Sequence, residues 1–156
     1  MTPAELAQAV AAYREGIEAE LELLTRIDVV ASRQREVSIA HDFEAFHAPS
    51  DERDRLTESL VAIERNLREL RQLLADHRRD AERVPGFAQA VALHRQATDI
   101  VAKILTADRE ALHALADADI ARRAALAHLD QGETTLAAYR KVLVPAGAGS
   151  LVDQRG

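Results

Sequence analysis

Apolar positions between Leu56 and Ala81 fall at Leu56, Leu60, Ile63, Leu67, Leu70, Leu74, His77 and Ala81, alternating steps of four and three. That spacing is a heptad seam along one face of a helix. Glu64, Arg65, Arg68, Glu69, Arg71, Asp76, Arg78 and Arg79 lie between the seam positions and suit water on the outer faces. Upstream, Leu6, Val10, Tyr13, Ile17, Leu21, Leu24, Ile27 and Ala31 draw the same stripe, and Gln34, Ser38 and His41 occupy its later positions and dilute it. Downstream of Phe87, Val91, Val101, Leu105, Leu112, Leu115, Leu126, Leu129 and Leu136 trace a third stripe, with Asp108, Asp119, Arg122 and Glu133 at intervening seam positions. The apolar face widens around Ile100, Val101, Ile104 and Leu105, so the tightest packing is expected over residues 98 to 115. No alternating strand pattern and no solenoid-length repeat is present.

Local signals divide these stripes into helices. Thr2, Pro3 and Glu5 form a helix start, with Thr as N-cap, Pro at the first helical position and Glu reaching back. Ala48 precedes Pro49 and is biased out of the α region, so the first helix is expected to end near His47 and Ser50 to cap the second. Asp42 capping a short turn over Phe43 to Phe46 is the alternative form of this hairpin. Val84-Pro85-Gly86 closes the second helix. The expected fold is all-α: an elongated three-helix up-down-up antiparallel bundle, with helices at about 3–47, 51–83 and 87–141 in one domain, 1–143. Past Tyr139 breakers gather, and residues 144–156 are expected to be a flexible tail. Helices of these lengths leave residues 121–143 of the third without the second as neighbour. Leu126, Leu129, Leu136, Tyr139 and Leu143 share one face of that overhang. An uncovered apolar face implies a partner, a second copy of the chain, or a fold-back at Gly132.

Composition narrows the function classes. The 156-residue chain has no Cys and no Trp and an aromatic fraction of 3%, which excludes disulfides and thiol chemistry and disfavours a core built on large rings. Its net charge is −6, and no segment forms a basic patch, so neither nucleic acid nor anionic lipid is an expected partner. No 18-residue apolar run and no signal-peptide start is present, and a cytoplasmic location without membrane insertion is expected.

Two Glu-x-x-His pairs, Glu44/His47 and Glu110/His113, have the spacing that puts two metal ligands on one helix face. A di-iron site needs four helices with all ligands facing inward, whereas His47 falls at an expected helix end and Glu110 and His113 flank the seam residue Leu112. No metal and no cofactor is therefore expected. His41, His77, His94 and His128 read as structural side chains. The chain has no phosphate-binding glycine loop and no nucleophile set beside a His on a tight turn, so it is not read as an enzyme.

The leucine-striped first helix, the Asp-led segment Asp42-Phe43-Glu44-Ala45-Phe46, and a heptad helix with Leu56, Leu60, Arg65 and Leu70 together resemble the FlgN family of flagellar export chaperones. Leu105-Thr106-Ala107-Asp108-Arg109-Glu110-Ala111-Leu112 is similar to the family's third-helix segment, with Asp108 where Asn is usual, and Leu151 to Gly156 resembles its tails. The resemblance implies a cytoplasmic chaperone without catalysis. Such a protein binds the C-terminal helical regions of hook-filament junction proteins and delivers them to the type III export apparatus. The face with Leu126, Leu129, Leu136, Tyr139 and Leu143 is the expected docking site for such a helix, with a homodimer as the other use of the same face. A coiled-coil structural adaptor of another assembly has the same composition and is the alternative.

Overall fold

The computed structural model describes residues 1–130, with side chains through Ala127. The described chain is all-α: α1 (Pro3–Ile39), a 3₁₀ turn (Glu44–Phe46), α2 (His47–Asp76), α3 (Arg78–Ala81) and α4 (Phe87–Asp130). The last part of the expected third helix and the expected tail lie outside the described residues. So does most of the expected overhang past residue 120. Among the described residues no helix is long and apolar enough to cross a membrane.

α1 starts as its sequence dictates. The Glu5 N–H donates to Thr2 Oγ1 at 3.2 Å and the Thr2 N–H donates to Glu5 Oε2 at 2.7 Å, a reciprocal capping box. The bond from the Thr2 backbone, and then the one from its side chain, hold the Glu5 carboxyl below its ordinary range.

The end of α1 departs from expectation, since the helix stops at Ile39 and not near His47. His41 takes a left-handed conformation with φ 58°. Its N–H donates to the Ser38 carbonyl at 3.1 Å, while the Asp42 N–H donates to the Val37 carbonyl at 2.9 Å. These two bonds make a Schellman motif, which closes a helix by satisfying its last carbonyls. Glycine usually fills the left-handed position, and here it holds a histidine, whose ring meets Phe43 edge to face with centroids 5.8 Å apart. The Asp42 carboxylate then accepts from the Ala45 N–H at 3.4 Å and leads into the 3₁₀ turn, which is the alternative hairpin form.

α2 begins before Pro49, so Ser50 is not its cap. Pro49 sits in the first turn, where its missing N–H has no intrahelical partner to lose. The Ser50 hydroxyl donates to the Phe46 carbonyl at 2.8 Å and accepts from Gln34 Nε2 at 3.0 Å. At its other end α2 stops at Asp76, short of the expected 83. His77 leaves helical geometry at φ −111° and ψ 27°, and α3 resumes for four residues. Gly86, at φ 94°, supplies the left-handed residue of the turn into α4.

The described residues form two compact units, Met1–Val29 with Glu52–Ile104, and Val30–Asp51 with α4 from Leu105 on. In the first, Leu6, Val10, Tyr13 and Ile17 of α1 meet Leu67 and Leu74 of α2, Ala81 of α3 and Ala90 of α4. Half-buried Ile63, Leu70, Leu73, Val84, Phe87 and Leu93 close around that cluster. The second unit buries Val30, Ala31, Gln34 and Ser38 of α1, Phe43 of the connection, and Ala107 and Ala111 of α4.

Candidate partner-binding face

The side chains available to a partner on α4 follow from which of its residues the fold buries. The stripe expected to be its seam is not the seam. Val101, Leu105 and Leu112 are 39%, 50% and 50% exposed, while Ala97, Ile104, Ala107 and Ala111 are buried. Alanine takes little space and strongly favours helix, so alanines at the contact let helix axes approach closely. Leu105 and Leu112 are thereby turned outward.

Within the second unit this leaves Leu105, Leu112 and Ile120 exposed, Ile120 at 66%. A step of seven residues falls about 20° short of two turns of a 3.6-residue helix and a step of eight passes them by about 80°, so the three side chains lie within an arc of about 80° on one face, with exposed Ala116 between the last two. Of the face expected to bind a partner, Leu126 is half-buried on α4. Leu129 belongs to α4 but its side chain lies outside the described residues, as do Leu136, Tyr139 and Leu143 altogether. Leu105 and Leu112 were assigned to the core by a pattern that scores leucines above alanines. The cue that separates them is the heptad line Ala90, Ala97, Ile104 and Ala111, buried throughout and alanine at three of its four positions.

Charges around the stripe are unevenly satisfied. Arg109, four residues after Leu105 and three before Leu112, is exposed and donates Nε to the Leu105 carbonyl at 3.3 Å. Glu110 faces Arg35 at 3.5 Å. Asp119 is engaged by Arg122 at 3.6 Å and by Arg123 at 3.1 Å.

The first unit holds a polar layer between α1 and α2. Arg71 donates Nη1 to Glu64 Oε1 at 2.9 Å and Nε to the Tyr13 hydroxyl at 3.5 Å, and the bond to Glu64 is the main reason its guanidinium is held more firmly protonated. Desolvation pushes the Glu20 carboxyl up, nearby Glu64 adds to this, and Arg71 opposes it. The layer joins α1 to α2 through polar side chains.

Neither Glu-x-x-His pair forms part of a larger donor set. Glu44 and His47 are both exposed, at the 3₁₀ turn and the start of α2, and Glu110 is turned to Arg35 while His113 is exposed. Among the described residues no group of three or more His, Cys, Asp or Glu is placed to hold a metal ion.

No family model, no curated protein and no solved structure matches the chain.

Proposed function

We propose that this chain is a cytoplasmic flagellar export chaperone, as its resemblance to the FlgN family implies, and that it takes an amphipathic helix from the C-terminal region of a hook-filament junction protein. The observation that supports this reading is the exposed stripe Leu105, Leu112 and Ile120 on α4. An amphipathic client helix anchors through residues at i, i+3, i+4 and i+7, and a helix presenting apolar side chains at that repeat is its natural counterpart. In the bundle that this reading requires, α1, α2 and α4 run up, down and up. Its first hairpin is supported by Tyr13 lying against Arg71 and Gly16 against Leu67, so that numbers rise along α1 as they fall along α2. Isothermal titration of the full chain with the C-terminal regions of hook-filament junction proteins tests the function. Saturable binding at micromolar affinity or better supports it, and no heat from any junction protein rejects it.

A further inference from the structure

The face on α4 is not purely apolar, and its one exposed charge between two leucines gives the docked helix a sign. Arg109 stands between Leu105 and Leu112, and its only interaction among the described residues is with a carbonyl of its own helix, at 3.3 Å. The carboxylates nearest Arg109, and Asp119 on the face, are occupied. Glu110 faces Arg35, Asp119 holds Arg122 and Arg123, and half-buried Asp108 is engaged as well. Asp117 is exposed three residues before Ile120, about 60° round the helix from it, and so borders the Ile120 end of the face about two turns from Arg109. Arg123, 68% exposed on its side chain, lies on the same line as Leu105 and adds a second guanidinium beside Ile120.

Resting on the docking reading above, we propose that the Leu105–Leu112–Ile120 face selects an acidic amphipathic helix, whose carboxylate pairs with Arg109 while its leucines cover the stripe. A guanidinium flanked by apolar surface becomes partly desolvated when a helix lies over it, and an uncompensated one then costs free energy unless a carboxylate meets its fork of donors. The preference is local, because a chain of net charge −6 attracts basic peptides at long range.

Two synthetic amphipathic peptides with the same leucine face, one flanked by Glu and one by Lys, test the proposal by titration into the full chain. The Glu-flanked peptide is expected to bind about fivefold tighter or better at moderate salt. Arg109→Glu is expected to remove or invert that preference, and Arg109→Gln replaces it should the urea midpoint show that the reversal perturbs folding. Equal affinities that are both lost in Leu105→Ser/Leu112→Ser would overturn the acidic selectivity and leave the docking face standing. Binding of neither peptide, or binding untouched by the Ser changes, would overturn both. A dimer of the free chain that Leu112→Ser dissolves would give the face to a second copy and likewise overturn the proposal.

Discussion

A methyl group placed on Gly16 would lie 2.6 Å from Leu67 Cδ2 and 3.3 Å from Leu67 Cγ, so α1 and α2 meet at a point where one helix has no side chain and the other has a fully buried one. Glycine inside a helix costs about 1 kcal/mol relative to alanine. Overpacking a core costs roughly 1 to 3 kcal/mol. Gly16→Ala is therefore expected to destabilise the chain modestly in urea unfolding. Leu67→Ala alone should cost about 2 to 5 kcal/mol. The pair makes a sharper statement: in the Leu67→Ala background, Gly16→Ala is expected to stabilise, because the clash is gone and the propensity gain remains. A Gly16→Ala effect of the same sign and size in both backgrounds would refute this contact.

His41 holds the left-handed position that ends α1. For a residue with a Cβ that conformation costs about 1 to 2 kcal/mol, whereas glycine enters it freely. Part of the gain is offset by the lost edge contact with Phe43. His41→Gly is expected to raise the urea midpoint and His41→Val, with its branched Cβ, to lower it. The reverse order would mean that α1 ends in another way.

Folding raises the Glu20 carboxyl above its ordinary value of 4.5, through desolvation first and Glu64 second. A raised acid binds its proton more tightly in the folded state, so its stabilising contribution is present below the unfolded value and is lost as pH rises through the folded one. At pH 7 the ionised Glu20 is thus a burden. Glu20→Gln is expected to unfold at a higher temperature than the parent at pH 7, with the gap closing as pH falls toward 4.5. A gap that widens toward acid pH would contradict the assignment.

His47 and His113 are both exposed and belong to no group of donors among the described residues. Thermal unfolding of the parent and of His47→Ala/His113→Ala is expected to be equally indifferent to divalent metal and to chelator. Metal-dependent stabilisation lost in the double variant would show a site that this account lacks.

The stripe of α1 was legible in the sequence as far as Gln34 and Ser38, which are buried where the heptad spacing puts them, whereas its last polar member, His41, is exposed beyond the end of the helix. The seam from Leu56 to Ala81 was equally legible: Leu56, Leu67, Leu74 and Ala81 are buried and the other four are half-buried. Three features resisted reading, each for a physical reason. His41 gives no glycine signal for the chain reversal it makes. Pro49 looks like a boundary, yet a first helical turn accepts proline. In α4, Ala97, Ala107 and Ala111 join Ile104 in the contact while Leu105 and Leu112 face out, an inversion that a hydrophobicity pattern cannot report; the face expected past residue 120 lies mostly outside the described residues.

The claim that this outward leucine face serves binding and not folding is tested most directly by Leu105→Ser/Leu112→Ser/Ile120→Ser, measured for both urea unfolding and titration with a junction-protein C-terminal region. Exposed positions contribute little to stability, so cooperative unfolding should persist with a shift of about 0.5 kcal/mol or less per site. Covering three such side chains is worth several kcal/mol, so affinity should fall by roughly 100-fold or more. Loss of cooperative unfolding with affinity intact would contradict the account, because these side chains would then belong to the core and the binding site would lie elsewhere.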